Sequence, residues 1–274
     1  MTCAVGQTAS FRGMLLKSAH TPLICGHRGG FYDQFPENSF LAFRYAVEQA
    51  APQAVMLELD VRESKDGILY ILHDKTLERT TNGTGPITEQ SSAYLDGLWL
   101  KDGKGQRSQE RIPRLEAVLK WLKKQPNVYL MVDVKEVAWA KVMAAIQEAK
   151  VLSRCLILTF KLEHTQQVYQ AAPKASISAL ITNPTEWAAI QQSGIPLRNL
   201  CAYIGKDTTP TLLHELQQAG IPLLCDVSEN TKNHPMPYEA AYYQTYMESK
   251  HLNLLVTDYP IEVISYLRQL PTSK

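Results

Sequence analysis

Apolar positions along the chain fall into two alternating patterns. Short, nearly continuous apolar runs lie near residues 23, 55, 129, 156, 177, 200, 222 and 254, and between them apolar residues recur at helical spacing. A run without polar alternation marks a strand covered on both faces, and strands alternating with helices build a parallel sheet. The first unit shows the logic: Leu23-Ile24-Cys25-Gly26 stops at His27-Arg28-Gly29-Gly30, and Phe40, Leu41, Phe43, Ala46 and Val47 then form a helical face that ends at Ala50-Ala51-Pro52. Asn38 is the expected N-cap of that helix. The second strand covers 54–60 and the third 128–135, with a helix over 115–124 between them. Strands at 155–160, 176–181, 199–204 and 221–226 follow, with helices at 162–171, 184–192 and 209–219. A polar loop, 228–237, leads to helix 238–249, strand 253–257 and helix 260–269. Eight strand-then-helix units is the count of an α/β protein of the (β/α)8 TIM-barrel class.

One strand is left over. Residues 68–73 follow the second strand across Asp66-Gly67, a pair suited to a two-residue type I′ turn because Gly tolerates positive φ. With Asp66 and Gly67 at the tip, Lys65 faces Ile68, Val61 faces Leu72 and Asp60 faces His73. The barrel therefore carries a β-hairpin, and the polar, Gly-rich stretch 74–112 reads as a small insertion over the same face. Residues 1–20 read as a flexible N-terminal tail and 21–274 as a single barrel domain.

Composition narrows the function classes. Lys and Arg number 28 against 27 Asp and Glu, scattered along the chain, so nothing points to nucleic acid. No run is long enough to be a transmembrane segment, and the first twenty residues lack the pattern of a signal peptide, although a trimmed export segment with Cys3 near a lipid-attachment point is compatible with them. Of five cysteines, Cys25, Cys155, Cys201 and Cys225 fall in apolar strands and are expected to pack as small core residues.

Candidate chemistry lies where strands end. An acidic pair two residues apart on a strand is ordinarily a solvated face, but Glu58 and Asp60 interrupt the apolar run Ala54-Val55-Met56-Leu57, and a buried carboxylate needs a partner or a cation. His27 and Arg28 end the first strand, and Asp133 and Lys135 end the third. In a barrel these ends converge on one mouth.

On Gly26-His27-Arg28-Gly29, Pro36-Glu37-Asn38-Ser39, Glu58-Leu59-Asp60-Val61, Lys65-Asp66-Gly67, His73-Asp74, Arg79-Thr80-Thr81-Asn82-Gly83-Thr84-Gly85, Ile112-Pro113-Arg114-Leu115 and Asp133-Val134-Lys135, the chain resembles the glycerophosphodiester phosphodiesterase family. Thr159-Phe160 and Val256-Thr257-Asp258-Tyr259-Pro260 add weaker matches, and the likeness runs from about 23 to 268. The resemblance implies a metal-dependent hydrolysis of small glycerophosphodiesters to glycerol 3-phosphate and an alcohol. His27 and His73 look like its general acid/base pair. Glu58, Asp60 and Asp133 look like ligands of a divalent cation, Mg²⁺ or Ca²⁺ with Mn²⁺ as a further option, and Arg28 and Lys135 like phosphate-binding cations. His73, if it lies against Asp60, leans towards the acid role.

Two departures stand out. Many members carry Glu where this chain has Asp133, and an aromatic element near the seventh strand, often Trp, is replaced around Leu224-Cys225-Asp226-Val227. Phospholipase-like cleavage of a lipid head group is an alternative, for which only Tyr94 to Leu100 hints at an apolar rim. A non-catalytic phospho-ligand-binding barrel is another.

Overall fold

The computed structural model describes residues 11–17 and 22–269. Its barrel strands are β1 (Leu23–Gly26), β2 (Val55–Glu63), β3 (Val128–Val134), β4 (Cys155–Thr159), β5 (Ser176–Leu180), β6 (Leu200–Tyr203), β7 (Leu223–Asp226) and β8 (Leu254–Thr257). Each pairs in parallel with the next, and β1 pairs with both β2 and β8, so the sheet closes as a (β/α)8 barrel. The connection from β3 to β4 holds helix Trp139–Glu148.

Strand alternation sorts the side chains into two layers. Leu57, Leu59 and Val61 of β2, Leu130 and Val132 of β3, and Ile157 of β4 point outward into the core shared with the helices. Met56, Met131, Leu156, Leu158, Cys201, Leu224 and Val256 point inward and fill the barrel. Continuing the inward series towards the strand ends gives Glu58 and Asp60 on β2, Asp133 on β3, Tyr203 on β6 and Asp226 on β7. The same alternation that packs the lower barrel with apolar groups thus lines its mouth with polar ones. Cys25, Cys155, Cys201 and Cys225 are buried free thiols, as expected, while Cys3 lies outside the described residues.

The expectation of a flexible tail over 1–20 is corrected for part of its length. Phe11–Lys17 is a helix whose Phe11 and Leu15 are buried with the inward layer. Phe11 packs against Tyr129 with ring centroids 5.3 Å apart, Arg12 donates to the Gly220 carbonyl, and Asn253 donates to that of Leu15. The remainder of that stretch, 1–10 and 18–20, lies outside the described residues.

The hairpin after β2 is also corrected. The ladder pairs Val61 with Ile71, Arg62 with Tyr70 and Glu63 with Leu69, one step from the expected register. The loop has three residues rather than two: the Ser64 N–H donates to Ile68 O, Gly67 N–H donates to Ser64 O, and Gly67 takes φ +83°. This is the turn-plus-bulge solution, in which Gly occupies the left-handed position at the end of the loop. Asp60 consequently lies opposite Leu72, whose N–H it accepts, and the ladder ends before His73.

The 74–112 stretch builds a satellite core of its own. Leu77, Ile87, Leu95, Leu98, Leu100 and Ile112 are buried with Tyr70 and Leu72, so Leu95, Leu98 and Leu100 pack inward and Tyr94 is the large apolar side chain of that loop left exposed. A two-stranded ribbon, Trp99–Lys101 with Arg107–Arg111, completes it. Arg111 lies 3.2 Å over the Trp99 ring.

Candidate active site

Parallel register places Asp60 of β2 directly beside Asp133 of β3, and Glu58 one inward step below. Ligand oxygens from Glu58, Asp60 and Asp133 all lie within 4.8 Å of one another, the one group of this kind among the described residues. All three are buried. Asp60 is tied on both sides: Asn38 donates to its Oδ2 at 2.9 Å, and Lys135 Nζ lies 3.2 Å from its Oδ1. Lys135 Nζ also donates to Asp133 at 2.5 Å.

Charges in this cluster push one another apart. Burial, then the neighbouring Asp60 charge, raises the Glu58 carboxyl to about 8. Burial raises Asp133 as well. Asp60 goes the other way: burial opposes its charge, but Lys135, His73 and Arg28 outweigh it and hold the carboxyl below its usual range. Lys135 is kept protonated by the same carboxylates against burial.

The β1 end supplies the next groups. Arg28 sits at φ 52°, a left-handed conformation that points its backbone N–H at Glu58 Oε2, 2.7 Å away. Gly29 follows at φ +89°, where a Cβ would fall 2.6 Å from the Phe43 ring, so this turn excludes any larger residue. Arg28 donates to Glu37 at 3.1 Å and has Nε 3.8 Å from Asp60. Asn38 is not the N-cap of the following helix; it adopts φ 55° and turns its amide to Asp60, while Ser39 accepts the Ala42 N–H as cap.

His27 Nδ1 is 2.8 Å from Asp258 Oδ1. Burial disfavours the imidazolium, but the Asp258 hydrogen bond and the charges of Glu58 and Asp258 outweigh it and raise its pKa to about 9. Asp258 is itself anchored, its Oδ2 accepting the backbone N–H groups of Asn230 and Thr231 and its own N–H donating to Glu229. Glu229 is fully buried and accepts hydroxyls from Thr257 and Tyr243. Neither Asp258 nor Glu229 is assigned a role by the sequence reading.

His73 is more exposed. Its Nδ1 meets Asp74 Oδ1 at 2.8 Å rather than Asp60, and Arg79 clamps Asp74 together with Glu37. The carboxylate hydrogen-bonded to His73 is therefore that of Asp74 and not, as the conditional expectation had it, that of Asp60. Its ring nevertheless lines the same cavity of about 170 Å³ as His27, Glu58, Asp60, Asp133 and Lys135. Phe160, Tyr203 and Asp226 form the facing wall of that cavity. Arg28 lines a second cavity of about 340 Å³, bordered by the insertion through Thr80, Lys101 and Gly103, and His27 is shared by both. All seven residues singled out in the sequence thus gather at the mouth, with Arg28 on the outer side.

Comparison with known proteins agrees with this geometry. A family model described as the Glycerophosphoryl diester phosphodiesterase family matches residues 27–261. A glycerophosphodiester phosphodiesterase of Bacillus subtilis (strain 168) is 29% identical over 184 residues, 61% of this chain and 61% of that protein. The chain thus matches less than two thirds of that relative's length. The crystal structure of a glycerophosphoryl diester phosphodiesterase from Parabacteroides distasonis ATCC 8503 superposes with a TM-score of 0.81 at 26% identity, covering 92% of this chain and 88% of that one. A phosphodiesterase from Oleispira antarctica, solved with its product sn-glycerol-3-phosphate, superposes with a TM-score of 0.70 at 22% identity, covering 92% and 99%; at that identity the likeness speaks for the fold.

Proposed function

Because the chain belongs to the glycerophosphoryl diester phosphodiesterase family, we propose that it is a phosphoric diester hydrolase that splits glycerophosphodiesters into glycerol 3-phosphate and an alcohol, using a divalent cation and two histidines. The observation that carries the reading is the gathering of Glu58, Asp60 and Asp133 with His27, His73 and Lys135 around one cavity. Burial, and after it the neighbouring carboxylates, disfavours the charged forms of Glu58 and Asp133, so a cation held between the three would favour their ionised state. An all-oxygen set of this kind suits a hard ion such as Mg²⁺, Ca²⁺ or Mn²⁺. When bound, the ion supplies positive charge beside the phosphoryl oxygens, where negative charge grows in the transition state.

The protein's own groups do the rest. Lys135 and Arg28 add fixed positive charge next to the phosphate. His27, kept protonated at neutral pH by Asp258, is placed to give its proton to the departing alkoxide. His73, oriented by Asp74, is left to take a proton from the attacking water, whose oxygen becomes the new phosphate oxygen of glycerol 3-phosphate. One P–O bond forms, the bond to the alcohol breaks, and the two histidines exchange proton states.

The test is to strip the protein with a chelator and assay a panel of glycerophosphodiesters with Mg²⁺, Ca²⁺ and Mn²⁺ restored in turn. Turnover should vanish on stripping and return with at least one ion, releasing glycerol 3-phosphate. Turnover indifferent to chelation, or no glycerophosphodiester cleaved with any ion, sinks the proposal.

A further inference from the structure

His73 stands where the hairpin has already left the sheet. The ladder to β2 ends with Val61 opposite Ile71 and the Leu72 N–H on the Asp60 carbonyl, and the next residue has no rung of its own. Asp74 and Arg79 orient the imidazole from the side of the insertion, with Glu37 of the loop after β1 behind them. The tie to β2 is Arg62. Its Nε donates to the His73 carbonyl at 2.7 Å, and its Nη1 lies 3.3 Å from Glu136 Oε2, just beyond the end of β3. Strand alternation puts Arg62 in one series with Glu58 and Asp60. The Arg62 side chain is only 7% exposed, and a guanidinium buried this far costs stability unless its charge is met. Glu136 meets it poorly, because that carboxylate is 54% exposed and is shared with Lys75 at 2.5 Å. The shorter of the two Arg62 bonds goes to the histidine.

We propose that Arg62 is a positioning residue for the reaction: its hydrogen bond to the His73 carbonyl sets the distance of the imidazole from the carboxylates that Glu58 and Asp60 present on the same strand. The inference rests on the phosphodiesterase reading and deepens it. A base must lie within hydrogen-bond reach of the water it activates, and that water must lie beside the carboxylate cluster. A strand holds such spacings better than a loop does. Arg62 carries the register of β2 across to a residue that the ladder no longer holds, through a bond strengthened by the guanidinium charge. It lines neither of the two cavities at the mouth, so it acts through His73 and not on the substrate. Lys135 does not depend on it, being held by Asp60 and Asp133. A base displaced by about 1 Å can cost about 10²-fold in rate.

The experiment is a double-mutant cycle on the cation-loaded enzyme, assayed with the p-nitrophenyl diester of glycerol phosphate. Arg62→Met, which keeps the length of the side chain and removes its donors, should lower kcat by about 10- to 10²-fold and leave KM within about threefold. In a His73→Ala background the same substitution should cost less than about threefold, because the group it positions is already gone. Arg62→Lys keeps a charge and a donor and should lose less than the methionine variant; carried through the same cycle, it gives the answer even if Arg62→Met folds poorly. Glu136→Gln, which leaves the bond to His73 in place, should stay within about threefold of the wild type. Equal losses in the two backgrounds overturn the proposal, since a merely structural residue would damage both alike. So does a loss confined to KM, a kcat of Arg62→Met within about threefold of the wild type, or a Glu136→Gln variant as slow as Arg62→Met. A wild type that cleaves no glycerophosphodiester with any ion fails the phosphodiesterase reading itself, whereas an active wild type with an additive cycle fails only the role of Arg62.

Discussion

On the side of the mouth formed by β1, β2 and β3, the functional groups stand at the ends of apolar strands, and Glu58, Asp60, Asp133 and Lys135 sit against one another or against the β1 turn. Asp60 faces Asp133 across one ladder rung, and Arg28 reaches Glu58 from β1 to β2. On the side formed by β6, β7 and β8, the groups act through one another at longer range. Glu229 fixes Asp258, and Asp258 fixes His27 from the far end of the chain, 231 residues away. One half concentrates charge; the other orients what that charge acts with. The difference predicts that damage to the first half removes the reaction, whereas damage to the second half changes how well its proton moves.

The largest effect should come from the histidines themselves, where the two halves meet. His27→Ala and His73→Ala are each expected to lower kcat by roughly 10²–10⁴-fold, with the fold kept. Together they should lose far less than the product of the two, since groups in one proton relay are not additive. A diester with a very good leaving group separates their roles: if His27 is the acid, His27→Ala recovers most of its rate with that substrate and His73→Ala does not. The reverse pattern swaps the assignment, and near wild-type turnover by both single variants discards the mechanism.

Asp258→Asn probes the orienting half. The expected loss in kcat is about 10²-fold or more, by the logic of an aspartate that holds a catalytic imidazole in position. The pH dependence carries the sharper information. Asp258 raises the His27 pKa while burial lowers it, so removing the carboxylate leaves burial in charge and the pKa falls. The general acid then loses its proton at lower pH, and the alkaline limb of the pH–rate profile moves towards neutrality. An alkaline limb that stays put while the rate falls would mean that Asp258 only shapes the barrel rim.

Legibility in the sequence follows the same division. Glu58, Asp60, Asp133 and Lys135 announce themselves because a charge that interrupts or ends a buried strand is visible in a linear string. Asp258 carries the same signal after Leu254-Leu255-Val256-Thr257, yet its meaning depends on β8 closing against β1, which no local pattern specifies. Glu229 lies in a polar loop, where a buried carboxylate looks like any exposed one. Two local expectations failed for reasons of near-degeneracy. Asp66-Gly67 fits a two-residue turn and a three-residue loop with Gly67 last, and the buried pairing of Tyr70 and Ile71 favours the second register. Asn38 and Ser39 are both good caps, and the requirement of Asp60 for a donor takes Asn38 away from the helix.

The floor of the barrel offers the contrast with the least effect on chemistry. Phe11 and Leu15 stand four residues apart, one helical turn, a spacing that was readable but lay in a stretch dominated by small and polar residues. Leu15 is fully buried against the inward layer, at the opposite end of the barrel from the carboxylates. Leu15→Ala deletes three buried carbons and leaves a cavity, which for a leucine in a packed interior costs about 2–5 kcal/mol. The lower end is expected here, because a seven-residue helix at the edge of the fold can settle into the space. Chemical denaturation should show that loss as a lower midpoint, while kcat and KM at a temperature where the variant is folded stay as in the wild type. An unchanged midpoint would mean that the helix does not seal the barrel in solution, and a changed kcat would mean that the floor reaches the mouth through the inward layer of Met56, Met131 and Leu224, so that the two ends of the barrel are not independent.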